Sequence, residues 1–258
     1  MMTSSTLPVL ERSPTILEPR FVEKPWGRQN GILPYLGNEP LGEIIFNATD
    51  TQLIVKWLQT SECLSVQVHP KRPAQDFKDE WWYVADTLDD AYLYLGFREE
   101  VTSDQVSHAA KDGTLLDMLN RIEPKKGDSF FIPGGTIHAL GPGLTIVEVQ
   151  EPSETTYRLY DYGRPRELHL EQAMSSLILH PTDIDAYPTT DADFQVEYYQ
   201  VAAGETLSLE DAQRCISIMS GTGKLQDMVY EPYQCIEYCG KCLLVAEQDS
   251  EYIISSRR

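Results

Sequence analysis

The chain carries five histidines, and two of them are placed to do chemistry. His69 closes the run LSVQVHP (64–70), and His138 stands near the end of GDSFFIPGGTIHALG (127–141), each with Gly or Pro close by. As a strand, the first run puts Ser65, Gln67 and His69 on one face and Leu64, Val66 and Val68 on the other. A face of Ser, Gln and His turned into a β structure would leave polar groups buried unless they bind something. Turned outward, the same stripe is an ordinary wet sheet face, and the run alone leaves both readings open. In the second run Gly127, Pro133, Gly135 and His138 follow a G-x5-P-x-G-x2-H spacing. There the Gly and Pro residues specify tight turns that lead a strand inward and carry a His with it. His108 falls in a polar helical stretch, while His169 and His180 flank a later helix, so surface or capping roles are expected of these three.

Cysteine offers a second pattern. Cys235, Cys239 and Cys242 form a C-x3-C-x2-C run, a spacing also used to hold iron–sulfur clusters. It lies too near the end of the chain for a catalytic barrel to follow. The segment CIEYCGKCLLVA reads instead as strand, turn, strand, with Cys as a small apolar filler. With Cys63 and Cys215 the count is odd, and the start of the chain lacks the pattern of a secretory signal, so free thiols rather than disulfides are expected.

These side chains need strands to hold them, and the sequence supplies many. Residues 1–18, rich in Ser, Thr and Pro, read as a flexible tail. From Phe21 onward short runs rich in Val, Ile, Tyr, Phe and Trp alternate with Gly, Pro, Asn and Asp. They fall at 52–59, 63–69, 80–85, 91–97, 129–132, 144–150 and 156–160. A helical insert at about 102–122 interrupts them, starting at Thr102, stopping at Gly113 and resuming as a short helix over 114–122. A third helix is expected over 170–179. Residues 181–193 read as a linker, and further strand-like runs fill 192–258. The expected architecture is mainly β: a larger unit over 19–180 and a smaller one over 192–258, each a sandwich or barrel.

Composition narrows the function classes. The 258 residues carry 40 acidic and 21 basic side chains, for a net charge of −19, with 41% hydrophobic residues. That hydrophobic share suits a globular chain with a sizeable core. An acidic mean field repels nucleic acid and anionic membranes, so neither is expected as a partner, although a local basic cluster can still hold a small anion. No window is long and apolar enough to span a bilayer, and a cytoplasmic protein is the expectation.

The His138 segment resembles the second motif of the cupins, a superfamily of double-stranded β-helix (jelly-roll) barrels. The cupin first motif has two ligands one residue apart and a carboxylate further on. Gln67-x-His69 followed by Glu80 is similar to it, with Gln in place of the usual first His. Pro142 stands where cupins carry an Asn. Within the cupins, LSVQVHP, DEWWYVAD, FFIPGGTIHAL and VEVQEPSETTYRLYDYGRPREL together resemble the type I phosphomannose isomerases in their short bacterial form, over roughly residues 20–175.

What the resemblance implies is specific. Gln67, His69, Glu80 and His138 would be the ligands of one zinc ion, a donor set whose chemistry suits that metal. An inward Glu80 would share its face with Trp82 and Val84. Arg158 matches the family's active-site arginine, Glu148 a glutamate proposed as base, and Lys78 a lysine just before the glutamate ligand. The reaction implied is interconversion of mannose 6-phosphate and fructose 6-phosphate through an enediolate, stabilised by zinc and guanidinium. Which of Glu148 and Lys78 moves the proton stays open, and a structural pairing of Glu148 with Arg158 is the alternative for that carboxylate. Arg158, Arg164, Arg166, Lys56 and Lys78 are candidates to hold the phosphate and Ser65 to contact the substrate, while Arg164 and Arg166 have Asp161, Glu167 and Glu171 as alternative partners. Phe77 before Lys78, Ile44–Ile45–Phe46, and the short link from His69 to Glu80 depart from the family pattern. The smaller unit, lacking His, would be a metal-free cupin-like half. Alternatives are an isomerase of another sugar phosphate, a sugar-phosphate-binding cupin without turnover, and a redox cupin with iron or manganese.

Overall fold

The computed structural model describes residues 12–183 and 192–258. Most of the expected N-terminal tail and of the 181–193 linker lies outside the described residues. Two units are distinguished: Arg20–Ile45 with Ile54–Ala192, and Met1–Pro19 with Phe46–Leu53 and Asp193–Arg258. In chain order the first strands are β1 (Arg12–Ile16), β2 (Arg20–Arg28), β3 (Leu41–Ala48), β4 (Leu53–Gln59), β5 (Val66–Val68), β6 (Glu80–Thr87) and β7 (Leu93–Phe97). After helix α1 (Ser103–Asp112) come β8 (Leu119–Ile122), β9 (Ser129–Ile132), β10 (His138–Leu140), β11 (Leu144–Gln150) and β12 (Tyr157–Tyr160), then α2 (Leu170–Ser176). The remainder is β13 (Phe194–Val201), β14 (Thr206–Ser220), β15 (Gly223–Leu225), β16 (Met228–Tyr230), β17 (Cys235–Ala246) and β18 (Ser250–Arg257).

The larger unit holds two sheets, ordered β2-β3-β4-β11-β6-β9 and β12-β5-β10-β7-β8. Strand period sorts its side chains. Leu58, Val84, Leu140 and Ile146 join one buried apolar cluster. Two or four residues along the same strands, and so on the same faces, lie Lys56, Glu80, His138 and Glu148. The interior is therefore apolar at one end and polar at the other. On the other face of β5, Val66 and Val68 pack with Val106, Ala109 and Ala173 of the two helices, which turns Ser65, Gln67 and His69 inward. Each fully buried aliphatic side chain of this kind stabilises the fold by about 1.5–3 kcal/mol.

Local signals set the ends of α1. Thr102 forms a capping box with Gln105, and Gly113 closes the helix in the left-handed conformation at φ 87°. The expected helix over 114–122 is not formed as such: a single 3-10 turn covers Leu115–Met118, and β8 follows. Pairing with β7 overrides the local helical preference there, and Asn120 Nδ2 donates to the Leu95 and Phe97 carbonyls at 3.1 Å each.

The smaller unit is one sheet, β13-β18-β14-β17-β15-β16, with β1 beside β17. Part of the expected tail is thus a strand, because Thr15 and Ile16 find partners in Glu237 and Ile236. CIEYCGKCLLVA contains no turn. It is one continuous strand whose Gly240, at φ 118°, sits beside a register shift that places the extra residue on β14. Cys235, Cys239 and Cys242 are buried in it as free thiols, in keeping with a filler role.

Candidate active site

Two histidines and a glutamate meet at the polar end of the larger unit. Antiparallel pairing of β10 with β5 sets His138 opposite Gln67. His69 lies one residue beyond β5, and Glu80 opens β6. The Pro133–Gly134–Gly135 turn brings the His138 strand against the His69 segment. Gly134 donates its N–H to Asp79 Oδ1 at 2.8 Å, and Gly135 donates to the His69 carbonyl at 2.9 Å. A Cβ on Gly134 would lie 2.3 Å from the Pro70 carbonyl oxygen, so only Gly permits this approach.

Both imidazoles are oriented alike. His69 Nδ1 lies 2.9 Å from the Thr155 carbonyl oxygen and His138 Nδ1 lies 2.9 Å from that of Thr136. A carbonyl only accepts, so each Nδ1 carries the proton and each Nε2 keeps its lone pair for the interior. His69 Nε2 approaches Glu80 Oε1 to 3.1 Å, and His138 Nε2 lies 3.9 Å from Glu80 Oε2. Gln67 Nε2 is 3.2 Å from His138 Nε2. The ligand atoms of His69, Glu80 and His138 fall within 4.8 Å of one another. His69 Nε2 and Glu80 Oε2 are buried without a hydrogen-bond partner. Such an arrangement costs about 1–3 kcal/mol per atom unless a cation takes the lone pairs. The residues present fit a divalent metal.

Electrostatics agree. Burial, then Lys78, pushes the His69 pKa down to about 4. Burial also lowers that of His138. For Glu80, burial alone would raise the pKa, but Lys78, with its Nζ 2.8 Å away, and then His69 hold it well below the usual carboxylate range. Two neutral imidazoles thus face one carboxylate at neutral pH. A consequence for stability follows in the metal-stripped chain. Between pH 6.5 and 4 the unfolded His69 binds a proton that the folded one refuses, so stability falls as pH falls, by about 2 kcal/mol at pH 5. Below pH 4.5 protonation of the unfolded Glu80 adds to the loss. Urea midpoints at pH 7 and pH 5 check this, the lower being expected at pH 5; equal midpoints would contradict it.

Two rows of cross-strand neighbours carry the remaining groups. Arg158, Gln67 and His138 stand in register on β12, β5 and β10, while Lys56, Glu148 and Trp82 do so on β4, β11 and β6. All six line one cavity of about 340 Å³ together with Lys78 and Glu80, a volume in the range of small-ligand sites. Glu148 Oε1 accepts from Lys56 Nζ at 2.9 Å and Oε2 from Trp82 Nε1 at 3.0 Å, so its ion-pair partner is Lys56 and the alternative pairing with Arg158 is not formed. Burial works to lower the Lys56 pKa, and Glu148, followed by Glu80 and Glu43, more than offsets it. Arg158 donates Nη1 to the Glu167 carbonyl at 2.8 Å and keeps a buried Nε without a partner.

The expected substrate contacts divide. Ser65 and Arg166 reach the cavity, Arg166 while gripping Asp161 through Nε at 2.6 Å and Nη2 at 2.5 Å. Arg164 does not line it; its side chain binds the Cys63 carbonyl and lies 3.5 Å from Asp161 and 3.8 Å from Glu62. Sequence reasoning missed Trp26 and the Lys24–Glu43 ion pair at 3.4 Å, all on the cavity wall. The two-residue period joining Lys24 to Trp26 on β2 was the available signal.

No family profile matches the chain. Among curated proteins it is similar to mannose-6-phosphate isomerase ManA of Bacillus subtilis (strain 168), 31% identical over 199 residues, covering 67% of this chain and 63% of that one. The first curated relatives are matched over 44% to 63% of their own lengths. The crystal structure of the mannose 6-phosphate isomerase from Bacillus subtilis superimposes with TM-score 0.76 at 22% identity, covering 95% of this chain and 99% of that one. A zinc-bound holo mannose 6-phosphate isomerase gives TM-score 0.73 at 12% identity, over 96% and 100%. The fold is therefore mainly β and of the cupin type, as expected from the motifs. Motif residues, fold and relatives converge: the chain belongs to the type I phosphomannose isomerase family.

Proposed function

We propose that the chain interconverts mannose 6-phosphate and fructose 6-phosphate as a zinc-dependent aldose–ketose isomerase, through an enediolate. One observation carries this reading: two Nε2 lone pairs converge on the Glu80 carboxylate, and His138 and Glu80 line one polar cavity with Arg158, Glu148 and Lys78. His69, His138 and Glu80 would hold the metal, and Gln67 would join them through its amide oxygen after a half-turn of the amide, whose Nε2 lies 3.2 Å from His138 Nε2; this nitrogen and oxygen set suits zinc. Bound zinc would act as a Lewis acid toward the oxygens of the sugar.

The chain's own groups do the rest. Arg158 places a guanidinium beside the cavity, where negative charge develops on the enediolate oxygens. Glu148 and Lys78 are the two groups able to carry a proton between C1 and C2. Lys56 and Trp82 hold the Glu148 carboxylate fixed for that task. Arg166 supplies positive charge for the phosphate within an acidic protein. No helix among the described residues is long and apolar enough to cross a membrane. The free thiols suit a reducing, cytoplasmic setting.

Proton NMR in D2O tests the reading. With mannose 6-phosphate, the zinc-loaded chain is expected to form fructose 6-phosphate and to bring solvent deuterium onto carbon. Product without any deuterium would mean a hydride shift, or a proton passed between C1 and C2 faster than it exchanges with solvent. Tight binding with neither product nor exchange would leave a sugar-phosphate-binding protein without turnover.

A further inference from the structure

His169 stands at the N-cap of α2, where Ser, Thr, Asp or Asn would normally accept from the helix's first amides. Its side chain makes no such bond. Instead the ring turns to β12: His169 Nδ1 accepts the backbone N–H of Arg158 at 3.1 Å, while the His169 backbone N–H donates to the Arg158 carbonyl at 2.8 Å. Two residues earlier, the Glu167 carbonyl accepts from Arg158 Nη1 at 2.8 Å. β12 is an edge strand, paired with β5 on one side only. On its open side residues 167–169 take the place of a neighbouring strand, and the Arg166–Asp161 bonds close the loop that brings them back.

We infer that His169 is a positioning residue for Arg158, holding both backbone polar groups of the arginine on an otherwise open strand edge. This rests on the isomerase reading above. The expectation of a surface or capping role for His169 is thereby replaced. A histidine suits the task because its ring, with the proton on Nε2, presents Nδ1 as an acceptor one residue-width beyond its own amide, so a single residue satisfies the donor and the acceptor of Arg158. An unheld edge would let the guanidinium wander, and misplacement by about 1 Å is enough to cost up to about a hundredfold in rate.

The test compares His169→Leu, which removes the acceptor, with His169→Asn, whose side-chain oxygen can take the place of Nδ1, each in the wild-type and Arg158→Lys backgrounds. His169→Leu is expected to lower kcat/KM about tenfold to a hundredfold, mainly through kcat, and to speed exchange of the Arg158 amide at least about tenfold. His169→Asn should recover most of both. In the Arg158→Lys background the His169→Leu effect should shrink to about twofold or less, the non-additivity expected of residues acting as a unit. Unchanged kcat/KM in His169→Leu, or a loss that multiplies independently with Arg158→Lys while the Arg158 amide stays protected, would overturn the inference. A wild-type chain without isomerase activity would instead remove the reaction assigned above, and amide exchange would still decide whether His169 holds Arg158.

Discussion

Replacing His138 with Ala is expected to abolish zinc retention and to lower kcat/KM for mannose 6-phosphate by about 10³-fold or more. The site offers few ligands, and His138 is one of two imidazoles whose Nε2 lone pairs point at Glu80. A bound metal contributes several kcal/mol of transition-state charge stabilisation, and each 1.36 kcal/mol is about tenfold in rate. His138 is also buried and packs its ring edge-on to Trp82, with centroids 5.4 Å apart, so the truncation costs stability of about 1–3 kcal/mol as well. Glu80→Gln separates the two effects, since it keeps the volume and removes the charge. Metal analysis with steady-state kinetics, on samples whose circular dichroism shows them folded, checks both variants. Wild-type turnover in a folded His138→Ala chain would contradict the metal centre.

The second large effect belongs to Arg158→Lys. The substitution keeps the positive charge but loses the planar fork that can hold two oxygens at once. It also loses the Nη1 bond to the Glu167 carbonyl that fixes the side chain. The expected loss in kcat/KM is about 10²–10³-fold, the magnitude seen when one preorganised donor to a developing oxyanion is removed. Zinc content should be unchanged, because Arg158 is a register neighbour of Gln67 rather than a member of the His69–Glu80–His138 group. A rise in KM with kcat intact would move Arg158 from stabilising the enediolate to holding the phosphate.

How far the sequence foreshadowed this site depends on how local each signal is. Two-residue alternation alone gave the shared face of Ser65, Gln67 and His69, and the structure turns that face inward because Val66 and Val68 are claimed by the helices. The Pro-Gly-Gly turn ahead of His138 was equally readable, its glycine being demanded by a close backbone approach. Strand order was not readable, and with it went the partner of Glu148. Lys56 and Trp82 meet that carboxylate only because β4 and β6 flank β11, a pairing between segments far apart in the chain. The same cause hides β8 inside an expected helix and makes a strand of part of the expected tail. His169 takes the cap position its place in the sequence suggests, but its ring serves an edge strand that only the fold creates.

The most direct test of the account is a zinc titration of the metal-stripped, intact chain with turnover of mannose 6-phosphate recorded at each addition. The account predicts no turnover at zero zinc, a linear rise, and a break at one zinc per chain. Full turnover before any zinc is added, or one tightly bound zinc per chain with no turnover, would contradict it.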